Sequence, residues 1–127
     1  MSRQRALRKL FKDASRIVER EYAGRLLIDD VAARLNTSRR QLQRAYHEAG
    51  HPGLRAQLAA VRMQHAARML CEPDAPPVGE VAQRVGYESH SQFIKAFRRQ
   101  YGTAPGAYRR THGDPRAAPA APQLTSR

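Results

Sequence analysis

Cysteine is nearly absent from this chain: Cys71 is the single example in 127 residues. A lone cysteine closes no internal disulfide and supplies no metal pair, so Cys71 reads as a small structural residue at a helix end. Long apolar runs are missing as well. No stretch approaches the roughly 20 residues needed to cross a bilayer. The opening MSRQRALRKL has no apolar centre of the kind a secretory signal carries. The expected location is therefore the cytoplasm. Catalytic signatures are lacking too. There is no phosphate-cradling glycine-rich loop, no G-x-S-x-G, no convergent carboxylate pair and no C-x-x-C. His47, His51, His65, His90 and His112 nowhere join Asp, Glu or Cys at ligand spacing, and His65 reads as a packed, hydrogen-bonded core histidine. No enzyme activity, cofactor or metal is expected. Acid is scarce: 11 Asp and Glu face 23 Lys and Arg, leaving a formal charge of +12 and a pI near 11.2. Such a balance favours a polyanionic partner, with nucleic acid first and an anionic membrane surface second.

The chain reads as all-α, with about seven helices and no segment that alternates as a strand would. Leu7, Leu10, Phe11, Ala14, Ile17 and Val18 recur at three and four residues, opposite Arg3, Arg5, Arg8, Lys9, Lys12 and Arg16. This predicts a first helix to about Gly24. A short helix follows from Ile28 to Leu35, stopped by Asn36, and Ser38 caps a third that runs to about Ala49. After Gly50-His51-Pro52-Gly53 comes a long fourth helix, Leu54 to Leu70. Beyond Pro73, Pro76 and Pro77 lie helices over Val78–Val85 and Ser89–Tyr101, then a last one opened by Pro105. From Thr111 onward the chain is rich in Ala and Pro and is expected to be disordered.

Within this order a phrase is written twice. VAARLN, Val31 to Asn36, returns as VAQRVG, Val81 to Gly86. With a shift of 51, Leu42 then aligns with Phe93, Ala45 with Ala96 and Tyr46 with Phe97, which predicts one buried triplet per copy. A short helix, a tight left-handed turn at Asn36 or Gly86 and a longer helix make a helix-turn-helix. Ala32 and Ala82 are small enough to let the two helices approach.

Four motifs extend the pattern: R-M-x-x-A-x-x-M-L (Arg62 to Leu70), V-A-x-x-V-G-Y (Val81 to Tyr87), S-x-F-x-x-x-F (Ser91 to Phe97) and Y-G-x-x-P-x-x-Y-R (Tyr101 to Arg109). With the order of helices, they make residues 7 to 110 resemble the DNA-binding domain of the AraC/XylS family of transcription regulators. The resemblance implies seven helices and two helix-turn-helix subdomains joined by a linker helix, each placing one helix in the major groove of double-stranded DNA. The expected divisions are 1–52 for the N-terminal helix and first subdomain, 53–72 for the linker helix, 73–111 for the second subdomain and 112–127 for the tail. It departs in small ways: Leu27 stands where a Ser or Thr cap is frequent, Asn36 where Gly is, and Tyr87 where Phe is.

The residues that would read DNA follow from helix periodicity. On the third helix, Leu42, Ala45, Tyr46 and Ala49 point inward, leaving Arg40, Gln43, Arg44 and His47 on the opposite side, with Arg39 at the helix start. Arg bridges the two acceptors of guanine and Gln the donor–acceptor pair of adenine. The same shift gives Ser91, Ile94, Lys95 and Arg98 on the second reader, joined by Ser89, His90 and Arg99; Ile94 suits a thymine methyl. On the fourth helix, Leu54, Leu58 and Val61 mark one face, and Met63, Ala66 and Leu70 another turned well around from it, so that the recognition helices would be held about 34 Å apart.

The function expected is a sequence-specific regulator, an activator by resemblance, bound as a monomer to an asymmetric site, with RNA polymerase as a candidate partner. Seven helices leave no room for an effector pocket, so DNA binding is expected to need no small molecule. A nonspecific architectural nucleic-acid binder is the competing class, and a module whose basic N-terminal helix binds an acidic partner or an anionic membrane is the third.

Overall fold

A computed structural model describes residues 2–113 and places seven helices among them: α1 (Ser2–Glu21), α2 (Ile28–Arg34), α3 (Arg39–Glu48), α4 (Leu54–Leu70), α5 (Val78–Arg84), α6 (His90–Tyr101) and α7 (Pro105–His112). The described chain divides into two compact units, one closing at Arg62 and the other opening at Met63, so the division falls inside α4. Helix α7 takes in Thr111 and His112, which the composition had assigned to a disordered tail. The aromatic side of α7 explains the difference, since Tyr108 stacks on His112 at 4.2 Å between ring centroids. The rest of that tail lies outside the described residues.

In the first unit the predicted stripe of α1 turns inward, with Leu7, Ala14, Ile17 and Val18 buried. Leu10 and Phe11 pack half-buried against the same core, which adds Leu26, Val31, Ala32, Leu42, Tyr46, Leu54, Leu58 and Val61. Helix α1 packs on α3, where the Phe11 ring meets the edge of Tyr46 at 4.9 Å. Tyr46 is the largest polar residue in this core, and its hydroxyl donates to Gln57 Oε1 while Gln57 Nε2 donates to Ser15 Oγ at 2.9 Å. That relay lets an otherwise apolar junction of α1, α3 and α4 bury a phenol, whose pKa burial pushes up to about 12. Arg62 Nε donates to the Tyr22 carbonyl at 2.7 Å and its Nη2 to that of Gly24 at 2.9 Å, which pins the connection between α1 and α2.

In the second unit Met63, Ala66, Ala67, Leu70, Val81, Ala82, Val85, Phe93, Phe97 and Pro105 are buried. Aromatic rings run through it: Tyr87 against Phe93, Phe93 against Phe97, and Phe97 against both Tyr101 and Tyr108. Arg109 donates to the Pro76 carbonyl and ties α7 to the proline-rich connection before α5. His65 is not the core histidine expected. It is half-buried with Nδ1 3.3 Å from the Arg68 guanidinium.

Each unit contains the same turn. Leu35 closes α2, Asn36 takes φ 55°, its N–H donates to Ala33 O at 3.1 Å, and the Thr37 N–H donates to Ala32 O at 2.9 Å. Val85 closes α5, Gly86 takes φ 103°, its N–H donates to Gln83 O at 3.1 Å, and the Tyr87 N–H donates to Ala82 O at 2.9 Å. These are paired Schellman caps, in which one left-handed residue lets two amides satisfy the carbonyls a helix leaves open. Serine starts the next helix both times: Ser38 Oγ accepts from Gln41 N at 3.1 Å and Ser89 Oγ from Gln92 N at 3.2 Å. Leu27, by contrast, caps α2 with no side-chain hydrogen bond and stands half exposed.

The turn gives a test. Gly86→Ala forces a Cβ into backbone that L side chains avoid, at a cost of about 1–2 kcal/mol. Amide hydrogen exchange in α5 and α6 should quicken by roughly five- to thirtyfold, with α2 and α3 unchanged. Asn36→Gly should leave protection in α2 and α3 intact, because glycine enters the same region without strain; full protection retained in Gly86→Ala would refute the role given to the turn.

Candidate nucleic-acid interface

Helix α3 buries Leu42, Ala45 and Tyr46, and the opposite side carries Arg40, Gln43, Arg44 and His47, all exposed. One turn of α-helix separates 40 from 43 and 44, and another reaches 47, so the four form a continuous strip of donors. Among the described residues no carboxylate is paired with Arg40 or Arg44. Ala49, expected inward, is exposed at the helix cap, because α3 ends one residue earlier and Gly50 turns the chain away at φ 74°.

Arg39 has a different environment. Its Nε and Nη2 donate to the two oxygens of Asp29 at 2.8 and 2.6 Å, joining the first turn of α3 to the first turn of α2. This hydrogen-bonded guanidinium holds the Asp29 carboxyl below the usual carboxylate range. Arg34 makes a matching fork to Glu21 at 2.8 and 2.7 Å, which lowers the Glu21 pKa in the same way. Thus Arg34 and Arg39, beside the turn, brace helices, while Arg40 and Arg44 stand exposed without a carboxylate among the described residues.

On α6 the inward residues are Phe93 and Phe97, with Ala96 only half-buried where its counterpart Ala45 is fully buried. Ser91, Lys95, Arg98 and Arg99 are exposed. Ile94 is only half-buried. Ser89 serves as the helix cap and lies 3.2 Å from Ser91 Oγ, so its hydroxyl is already occupied. His90 is exposed at the helix start with its ring over Gly79, where a Cβ would come 3.6 Å from Nδ1. Gln92 was passed over. The shift of 51 pairs it with the half-buried Gln41, yet Gln92 is exposed and stands three residues before Lys95 and seven before Arg99. Helical spacing from the lysine was the signal that would have found it.

Two exposed strips on capped, rigid helices, rich in Arg and Gln and set in a chain of charge +12, have the chemistry of base and phosphate contact. Comparison with known proteins bears on the same elements. The family profile described as a helix-turn-helix domain matches residues 31–111. The HTH-type transcriptional regulator MtrA of Neisseria gonorrhoeae is 40% identical over 87 residues, which are 68% of this chain and 28% of that protein. RclR of Escherichia coli, an RCS-specific HTH-type transcriptional activator, is 34% identical over 82 residues, or 65% of this chain and 28% of RclR. The DNA-binding domain of AdpA, a global transcriptional factor solved in complex with a target DNA, matches with a TM-score of 0.67 at 32% identity, over 80% of this chain and 89% of that one. The match thus spans less than a third of the length of either curated relative.

The braces are testable by titration. A carboxylate whose pKa is depressed on folding stabilises the fold above its ordinary range, and that contribution is lost as pH falls through the depressed value. The Asp29 carboxyl, followed by NMR, should therefore titrate below an ordinary aspartate and return toward the ordinary value in Arg39→Ala. An unshifted midpoint in the unsubstituted chain would show that Arg39 is not held at Asp29 in solution.

Proposed function

The chain belongs to the AraC/XylS family of helix-turn-helix transcription regulators, and from that premise we propose that it is a sequence-specific regulator that reads double-stranded DNA through α3 and α6. The observation that carries the reading is the strip Arg40, Gln43, Arg44 and His47, exposed on the second helix of a helix-turn-helix and opposite a buried Leu42, Ala45 and Tyr46. A purely architectural binder needs only positive charge, whereas this strip mixes guanidinium with amide and imidazole, the groups that distinguish bases. Arg40, Gln43 and Arg44 are assigned to base edges. Lys95, Arg98 and Arg99 are assigned chiefly to phosphates, with Ser91, Gln92 and Ile94 offering the base contacts of α6.

Because the two faces differ, the site has unlike halves, read in successive major-groove segments by one chain without a two-fold partner. Activation is the favoured direction of control, supported by the family and by the activator RclR among the relatives; RNA polymerase is then the protein partner, and the compartment is the cytoplasm. DNA binding itself calls for no small molecule, since the readers and their caps are built from the chain alone.

Each bidentate contact contributes about 1–3 kcal/mol of discrimination against the wrong base. Arg44→Ala should accordingly relax preference at one or two base pairs of a site selected from a random DNA pool. Arg98→Ala should weaken all sequences alike and reduce the salt slope by about one. Both are checked by affinities for a panel of single-base changes at two salt concentrations; an unchanged preference profile for Arg44→Ala would remove α3 from base reading. A footprint with two-fold symmetry occupied by two chains would contradict the single-chain site.

A further inference from the structure

The reading of α3 and α6 leaves a cationic surface of the first unit unused. Arg5, Arg8, Lys9, Lys12 and Arg16 are exposed along α1 and, with Asp13, line one open hollow. Asp13 is the lone acid in it, 3.0 Å from Lys9 and 3.9 Å from Arg16. Among the described residues no carboxylate pairs with Arg5, Arg8 or Lys12. The stripe is turned away from the buried Leu7, Ala14, Ile17 and Val18. Its direction relative to α3 follows from the packing. Phe11 of α1 meets Tyr46 of α3, and the Arg40–His47 strip lies on the opposite side of α3 from Tyr46. The buried contact between α1 and α3 therefore lies between the two cationic faces, with Arg8 reaching the border of α3 at Ala45, Glu48 and Ala49, and a duplex seated on the Arg40–His47 strip leaves the phosphate-binding capacity of the rest of the α1 stripe unfilled.

We propose that the α1 stripe is a second, sequence-independent DNA-binding surface, which lets one chain hold a second duplex segment while α3 reads the first. The proposal rests on the assignment of α3 to DNA. Three features favour a DNA backbone over other anions. The stripe carries no aromatic or large apolar residue to anchor a protein interface, whose core is depleted in charge. The apolar side of α1 is spent in the core, so α1 has none to bury in a membrane. Finally, the cations recur every three or four residues over about three turns, a line of charge suited to successive phosphates, with no amide among them to select a base.

The test uses the full chain. A duplex with the selected site is held on beads and saturated with protein, and capture of a second, labelled duplex of unrelated sequence is measured. Substituting Arg5→Gln, Arg8→Gln, Lys12→Gln and Arg16→Gln together should reduce capture at least about tenfold, given the counterion release of four phosphate contacts. Affinity and salt slope for the single selected duplex should be unchanged. Arg5→Lys with Arg8→Lys and Arg16→Lys should keep capture, because phosphate needs the charge rather than the fork; its loss would overturn the proposal. Capture that survives the four glutamines also overturns it. So does a salt slope on the single duplex that falls with them, which would put α1 on the same DNA, or stripe-dependent binding of polyglutamate without capture, which would assign it to an acidic protein. A chain that holds the bead duplex but captures no second one overturns the proposal and leaves α3 intact; one that holds no bead duplex overturns the reading of α3 as well.

Discussion

A single hydrogen bond, made twice, sets the geometry on which everything else depends. In the first unit it runs from the Thr37 N–H to Ala32 O, in the second from the Tyr87 N–H to Ala82 O, and both measure 2.9 Å. The bond spans a residue with positive φ, so the chain must reverse within a few residues instead of continuing as helix. With the short helix stopped and the next one capped by serine, the longer helix has one side left for the core. That side takes Leu42 and Tyr46, or Phe93 and Phe97. The opposite side is then exposed by elimination, and its residues are available to a partner without any cost to packing. A slip of one residue at this turn would rotate the recognition helix by about 100° and bury Gln43 where the core needs Leu42, or Arg98 where it needs Phe97.

Charge is divided along the same lines. Arg34, Arg39, Arg62, Arg84 and Arg109 donate to carboxylates or to backbone carbonyls and hold elements in place. Arg40, Arg44, Arg98 and Arg99 lie on exposed faces instead. Neighbours in sequence can fall in different groups, as Arg39 and Arg40 do, because a step of 100° carries one toward Asp29 and the other to the outer strip. The exposed forks are screened by solvent and add little to stability; their use is in orienting α2 and α3.

Much of this was legible in the amino-acid sequence, for reasons that also explain the misses. Asn36 and Gly86 are residues that enter left-handed backbone readily, so the turns could be placed to the residue, and the bounds of α4 followed from the breakers Gly53 and Pro73 on either side. Periodicity located the buried sides of α1, α3 and α6. It failed at a helix end, where the chain leaves the helical cylinder: Ala49 was assigned inward and is exposed; composition in turn ended α7 too early, since it runs on through Thr111 and His112. His65 lies in register with a buried stripe but only half enters it, since a repeat of 3.6 residues drifts around a long helix. The ion pairs between helices were not legible. Asp29 and Arg39 are ten residues apart, and only the fold of the turn brings their first helical turns together.

The two units are repeats in backbone but not in core chemistry, and this limits what each recognition helix can display. Beneath α3 the core is largely aliphatic, with Tyr46 supported by the Gln57–Ser15 relay. Side chains fit there closely enough to bury Ala45 at 1% exposure, and the outer strip begins immediately beside it. Beneath α6 the core is a run of rings from Tyr87 to Tyr108, whose bulk leaves Ala96 and Ile94 half-exposed at the border. An apolar border narrows the polar strip of α6 and leaves its basic residues concentrated at Lys95, Arg98 and Arg99. A helix so arranged grips a backbone more readily than it reads a base, while α3, with no such border, can present Arg40, Gln43 and Arg44 side by side. The division of labour proposed for α3 and α6 thus begins in the core, in the replacement of Leu42 and Tyr46 by Phe93 and Phe97.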